Sequence, residues 1–429
     1  MTNEEFSKIL NKKNLREITE KFGTPVFVYS QEILEQQVEK ALDFPNAYGL
    51  TVRYAMKANS NINILRIFDY KGIHIDASSA YEVERAALAG ISSEKILLTS
   101  QQLPENLGFH IGKGVNFNAC SLNQLESYGK IAPNSKVSVR INPGLGSGGI
   151  KKTNTGGPSS SFGIWYEQID EVLRIADKYN LQIGKIHTHI GSGSDSEVWK
   201  KVAGMSLDNV EKFIEAGHNI KTLNLGGGYK VGRMTYENST DLQECGEPVK
   251  QAFIDFAEKT GKKLKLEIEP GTFLVANAGD LISEVIDIKS TPDYNFIITN
   301  SGMNEITRPS LYGAQHPITV IPMNRDEKQV EHYIVSGHCC ESGDILTPRD
   351  GNPEALKSRK LLRAEIGDLV VIGGAGAYCS SMSTKNYNSY PEAAEVLLDR
   401  ERKPSLIRKR QTLEQVTQNE KIARHLRKF

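Results

Sequence analysis

An α/β barrel of the (β/α)8 type, TIM-like, followed by an all-β domain is the fold class this sequence predicts. Three observations carry it. From Thr51 onward, short apolar β-favouring runs alternate with helical segments about eight times. After about Ala278 the long helices stop and short strands follow one another directly. The length, 429 residues, suits one barrel plus a further domain. A doubly wound parallel sheet shares much of the first rhythm and is the competing architecture.

The elements are read in order as follows. Residues 1–30 form an N-terminal segment that packs with the β domain, 31–280 the barrel, and 281–429 a β-sandwich or barrel-like domain with a helical tail. Asn14 is placed as the cap of LREITEKF, and Gly23-Thr24-Pro25 as its stop. Val26 to Tyr29 is a strand, and SQEILEQQVEKAL has the spacing of an amphipathic helix. The barrel strands fall in VRYAMK, IHIDAS, ILLTS, VNFNA, VSVRIN, IGKIHTHI, TLNLGG and LKLEIEP. SAYEVERAALAG and MSLDNVEKFIEAG are among the helices between them. The β domain draws on LISEVIDIKS, NFIITNS, ITVIPM, HYIVSG, LVVIGG, AEVLL and SLIRKR. The tail TLEQVTQNEKIARHLRKF reads as one charged, solvated helix.

Bulk properties exclude several function classes. Lysine plus arginine equals aspartate plus glutamate at 52 each, so no charge excess points to nucleic acid or to a membrane surface. No run of about 18 apolar residues predicts a membrane span. The start, MTNEEFSKIL, has two early acids and no long apolar core, unlike a signal peptide. The five cysteines, Cys120, Cys245, Cys339, Cys340 and Cys379, are odd in number and irregular in spacing. They make no disulfide framework, and a reducing cytoplasm is the expected compartment.

Chemistry is expected where the barrel strands end, because that face of an α/β barrel carries the active site. VRYAMK delivers Lys57 there. Drawn away from bulk water, its amine is expected to titrate below the usual value of about 10.4 and to become a nucleophile for a carbonyl. The plainer reading is a surface lysine. His187 and His189 follow the sixth strand, and only one of the two is expected to face the barrel interior. No cysteine or further histidine sits at metal-ligand spacing, so no metal is predicted. Gly226-Gly227-Gly228 ends the seventh strand, either as a plain turn or as backbone amides around a phosphate. Glu269 ends the eighth, where a merely structural carboxylate is expensive to bury. A lysine, a histidine, a triple glycine and a glutamate at four strand ends suit pyridoxal 5′-phosphate. The lysine holds it covalently, the glycines hold its phosphate, and the acid keeps its pyridine nitrogen protonated.

A longer set of motifs is more specific: YAMKANSNIN, VRINPG, KTNTGG with FGIWY, HTHIGSG, LGGGY, EPG, GMNEITRPSLYGAQHP, CESGD, and GAYCSSMSTKNYNS followed by AEVL. In that order, over nearly the whole chain, they resemble the diaminopimelate decarboxylase family, in the alanine-racemase-like barrel class of pyridoxal-phosphate enzymes. The resemblance implies decarboxylation of meso-2,6-diaminopimelate to L-lysine by a cytoplasmic homodimer with shared active sites. It implies that Lys57 holds the cofactor and His189 stacks on its ring. Gly228, Gly271 and Tyr378 serve the phosphate, Ser192, Gly227 and Thr272 also bind the cofactor, and Glu269 meets the ring nitrogen. Arg308, Tyr312, Glu341 and Tyr378 contact substrate. Cys340, with Glu341, comes from the neighbouring subunit and donates a proton. Two positions depart from the family. An arginine usually follows Glu-Pro-Gly, and this chain has Thr272; another often follows Asn388-Ser389, and this chain has Tyr390. Cation supply for the substrate's far carboxylate is then expected from Arg308 or Lys385. The competing readings are a decarboxylase of another basic D-amino acid or of a carboxylated polyamine, and an inactive regulatory homologue. Racemization is disfavoured, because racemases of this fold set an arginine at the pyridine nitrogen.

Overall fold

Eight parallel strands close into a ring in the computed structural model, which describes residues 7, 9–146, 155–191, 193 and 195–427. They are Leu50–Ala55, His74–Ala77, Ile96–Leu98, Asn116–Ala119, Lys136–Asn142, Gln182–His187, Thr222–Asn224 and Lys265–Ile268. Neighbours in sequence are neighbours in the ring, and the eighth pairs with the first, Leu266 opposite Leu50. Closure is what separates this barrel from a doubly wound sheet, which keeps two free edges. The strands are buried almost end to end, as parallel strands are when helices cover them. Several covering helices start just beyond a strand, at a polar residue whose side chain accepts a backbone N–H. Asn61, Ser79 and Ser121 do this, and Asp195 and Asp241 cap the helices that follow longer connections. The turns between strand end and helix start therefore carry polar groups on one face of the ring.

The ring interior is not wholly apolar. Arg53 of the first strand forks onto Glu267 of the eighth at 3.1 and 3.3 Å, and Lys185 of the sixth reaches the same carboxylate at 2.6 Å. The lysine contact passes over the seventh strand and so crosses the interior. All three side chains are largely buried.

The chain divides into two compact units at Glu32/Ile33 and at Val275/Ala276. The barrel is one. The other is built on a branched, mixed sheet of nine strands. Its centre is Val26–Ser30, antiparallel to Gly279–Ser290 on one side and parallel to Ala394–Leu398 on the other. Gly279–Ser290 also pairs with Asn295–Thr299 and with Leu369–Ile372, which is where the sheet branches. Val330–Ser336, Arg359–Leu362, Ile318–Ile321 and Pro404–Arg408 complete it.

Three local expectations change. The first helix, Lys12–Phe22, is capped by Asn11, not Asn14. Asn11 has an extended backbone and accepts the Asn14 N–H, and Asn14 answers from the third helical position as the other half of a capping box. Among its described residues the tail forms Leu413–Thr417 and a single turn at Arg424–Leu426. Most of its residues are exposed, and a short helix without a face to bury is marginal in water. The strands Ile164–Trp165, Pro348–Arg349, Asn352–Leu356 and Arg359–Leu362 were not foreseen; the first two are two residues long, and the last two lack a clear apolar alternation. Among the described residues no helix is long and apolar enough to cross a membrane.

Removing Glu267 leaves two cations buried without their partner. Glu267→Leu should therefore cost about 3–5 kcal/mol of stability, read as a lowered urea midpoint. A midpoint within experimental error of the parent would show that Arg53 and Lys185 find water or other partners.

Candidate active site

The first strand passes into a one-turn helix, Met56–Ala58, that presents Lys57 between two buried neighbours. Lys57 is exposed in the single chain, so this chain alone does not supply the expected drying. Its charge is felt at Asp76, at Glu82 and at His189, which places it over the strand ends.

Both histidines after the sixth strand belong to the same site, which overturns the expectation that only one does. Residues two apart on an extended chain share a face. The chain stays extended past His187, with Thr188 donating to the Asn224 carbonyl at 2.8 Å. His187 Nε2 stands 3.2 Å from Glu269 Oε2. His189 lies over Gly226 and accepts the Gly227 N–H on Nδ1 at 3.2 Å. Burial, helped by the charges of Arg140 and Lys57, pushes the His189 imidazole well down, so the ring is neutral at physiological pH.

The glycines make this approach possible. A Cβ on Gly226 would stand 2.7 Å from the His189 ring, and one on Gly227 would stand 2.1 Å from the Glu269 carbonyl oxygen. Gly226 and Gly228 also adopt φ of +70° and +108°, which other residues avoid. The Gly227 amide is thus committed to His189. A Cβ on Gly271, after the eighth strand, would stand 3.3 Å from the Ala55 methyl. Thr272 begins the short helix Thr272–Val275. Ser192 lies outside the described residues.

Glu269 is buried, and both of its oxygens are met. Asn224 Nδ2 donates to Oε1 at 2.6 Å, and His187 faces Oε2. Burial opposes its charge, but the adjacent His187 and the Asn224 amide outweigh burial and hold the carboxyl well below the usual range. Asp76, at the end of the second strand, goes the other way. Burial and the Glu269 charge push it up to about 8, against a smaller pull from Lys57. Two buried carboxyls thus split one proton, Glu269 ionised and Asp76 protonated. Asp76, Asn118, Arg140 and Asn224 were missed in the sequence. Their signal was a polar residue near the end of an otherwise apolar strand.

In the other unit, Arg308 opens the helix Arg308–Tyr312, and its Nε donates to His316 Nε2 at 3.4 Å. His316 Nδ1 lies 2.9 Å from the Gly373 carbonyl, which fixes that nitrogen as the donor. Tyr312 is half-buried, and Tyr378 takes a left-handed φ of +55°. Cys339 is buried, while Cys340 and Glu341 are exposed. The Cys340 N–H donates to Asn388 Oδ1 at 2.7 Å. Tyr390 stacks on His338 with centroids 3.7 Å apart. Lys385, the reserve cation, is paired with Glu392 at 2.7 Å.

A buried carboxylate held ionised beside a neutral imidazole, over glycines whose Cβ atoms would fill the space, fits a protonated pyridine ring carrying a phosphate. The comparison of families agrees: residues 31–276 match the model described as pyridoxal-dependent decarboxylase, pyridoxal binding domain. The fold and site are those of a pyridoxal-dependent decarboxylase of the barrel class, and the cofactor is pyridoxal 5′-phosphate. The chain is 36% identical over 417 residues to diaminopimelate decarboxylase of Escherichia coli, covering 95% of this chain and 96% of that one. A crystal structure of diaminopimelate decarboxylase superposes with a TM-score of 0.89 at 34% identity, over 97% of this chain and 98% of the other. The Helicobacter pylori enzyme complexed with L-lysine gives 0.85 at 28%, over 94% and 98%. The chain belongs to the diaminopimelate decarboxylase family.

The split proton has a signature in the cofactor-free protein. Asp76 holds its proton to about pH 8 when folded, whereas an unfolded aspartate releases it near about 3.9. Between these values the folded state binds more protons, so this group's contribution to stability falls as pH rises. Asp76→Asn should flatten the decline in melting temperature from about pH 5 to about pH 8. An unaltered slope would mean that Asp76 is already ionised.

Proposed function

We propose that this chain decarboxylates meso-2,6-diaminopimelate to L-lysine and carbon dioxide, the last step of lysine biosynthesis, as a cytoplasmic homodimer. The observation that carries the reading is the ionised, buried Glu269, with Asn224 donating to one oxygen and His187 beside the other, in a chain of this family. When bound, pyridoxal 5′-phosphate supplies the electron sink for the pair released as the carboxylate leaves. Lys57 is the amine that holds the cofactor. Glu269 holds the proton at the pyridine nitrogen, and His189 lies against the ring. Gly228, Gly271, Thr272 and Ser192 of the barrel, with Tyr378, take the phosphate, while Gly227 serves by letting His189 and the eighth strand close up. Arg308 and Tyr312 grip the substrate. Cys340 and Glu341 of the partner subunit complete the site, Cys340 delivering the proton that replaces carbon dioxide on the α-carbon. Residues 31–280 form the cofactor-binding part, and 1–30 with 281–429 the part that reaches the neighbouring subunit.

A second reading rests on three observations. Thr272 stands where the family has an arginine, Lys385 is taken by Glu392, and Tyr390 is stacked on His338. A site short of cations for a far carboxylate suits another basic D-amino acid or a carboxylated polyamine.

Carbon dioxide release from meso-diaminopimelate, D-lysine, D-ornithine and a carboxylated polyamine decides between the two. A site built for the far carboxylate rejects substrates lacking it, since its buried donors are left unpaired. The expected winner in kcat/KM is diaminopimelate. Arg308→Lys, which keeps the charge but loses the planar fork, should raise its KM by roughly 1.5–3 kcal/mol of lost binding. If a D-amino acid without that carboxylate turns over faster, Thr272 marks a different specificity.

Shared sites predict complementation. Lys57→Ala and Cys340→Ala are each expected to be inactive, yet a mixed dimer contains one site carrying neither change. Subunit exchange should restore partial activity. Mixed dimers that form and stay inactive would place Cys340 in its own chain's site or outside catalysis.

A further inference from the structure

The hold on Glu269 extends one residue further than its own contacts. His187 Nε2 lies 3.2 Å from Glu269 Oε2, within reach of a hydrogen bond but not aligned as one. On the other side of the ring, His187 Nδ1 lies 2.7 Å from Asn118 Nδ2, and the same amide group reaches Thr99 Oγ1 at 3.3 Å. His187, Asn118 and Glu269 are all buried.

The orientation of this chain of groups follows from the carboxylate. A bare nitrogen lone pair facing an ionised carboxylate is repelled, so Nε2 must carry a hydrogen. Burial pushes the His187 imidazole down; Glu269 opposes this, and Arg140 and Lys185 add to it. The ring then has one proton only. Nδ1 is bare, and an amide end that donates is the only one that can face it at 2.7 Å. The Asn118 Nδ2 does so, leaving its Oδ1 without a partner.

We infer that His187 is a positioning residue: Asn118 holds it as the neutral Nε2–H tautomer, and in that form it aims the Glu269 carboxylate without cancelling its charge. The inference rests on the reading that Glu269 faces the pyridine nitrogen. An imidazolium in the same place would share the carboxylate's charge and loosen its hold on the pyridine proton. A neutral donor fixes one oxygen and leaves the negative charge for the ring. Asn224 does the same for the other oxygen.

Two measurements test this. In the protein carrying 15N-labelled histidine, before cofactor is added, the His187 resonances should show Nε2 protonated and Nδ1 bare at neutral pH. The His187→Gln spectrum assigns them by absence. An Nδ1–H tautomer or an imidazolium overturns the proposal, whatever Glu269 does. In the holoenzyme loaded with cofactor 15N-labelled at the pyridine nitrogen, wild type and His187→Gln should show the protonated shift. His187→Leu should move toward the unprotonated shift, with kcat lowered about tenfold and KM little changed. A donor role predicts rescue by glutamine, which a merely space-filling histidine does not. His187→Leu with the wild-type shift and kcat overturns the proposal. An unprotonated nitrogen in wild type sinks the Glu269 reading instead, and the tautomer result separates the two failures.

Discussion

The buried carboxylate of Glu267 is the constraint on which the active face rests. Arg53 and Lys185 give the barrel interior two positive charges against its one, so this layer carries a net positive charge. Asn224 donates to Glu267 at 3.3 Å and to Glu269 at 2.6 Å, and so ties that layer to the one above it. Asn224, held by that layer, is one of the groups that keep Glu269 ionised in a place where burial alone would protonate it. Asp76, the second acid, keeps its proton because burial and the Glu269 charge both oppose its ionisation.

The same arrangement explains why the strand ends are so poor in side-chain bulk. His189 can lie over the seventh strand only because Gly226 has no Cβ, and the seventh and eighth strands can close only because Gly227 has none. The flat space this leaves is bounded by a neutral imidazole and a charged carboxylate. An aromatic cation is matched by both, through stacking on one and charge on the other. The glycines are therefore read better as geometry than as phosphate donors, at least for Gly226 and Gly227, whose amides already face Asn224 and His189.

Much of this was legible in the sequence. All eight barrel strands overlap the expected runs and five lie wholly inside them, because a strand buried on both faces is a short apolar run that composition alone reveals. The strand-end positions of Lys57, His189, Gly226 to Gly228 and Glu269 followed from those runs. The partners of Glu269 did not. Asn118, Asn224 and Asp76 lie far apart in the chain, and each looks like an ordinary polar residue until the ring brings the strands together. The pairing of His187 with His189 was misread because the period of a strand puts residues two apart on one side. The cap at Asn11 was missed for a different reason. Asn11 and Asn14 both suit the role, and only the backbone angles decide which is outside the helix. At the tail, charge pattern favoured a helix, but nothing there buries enough surface to hold more than a turn or two.

The placement of Val26–Ser30 between Gly279–Ser290 and Ala394–Leu398 has a consequence for how the protein is made. A ribosome delivers this strand before the barrel, one partner, Gly279–Ser290, directly after the barrel, and the other only at Ala394–Leu398. The barrel unit, by contrast, is one uninterrupted stretch, Ile33–Val275. During synthesis the barrel can close while the early strand still waits, its edges unpaired, for neighbours not yet translated. A nascent chain halted just after the barrel would hold a closed barrel and a strand open on both edges, and the edge that meets Ala394–Leu398 stays open to any other chain until residue 398 is translated.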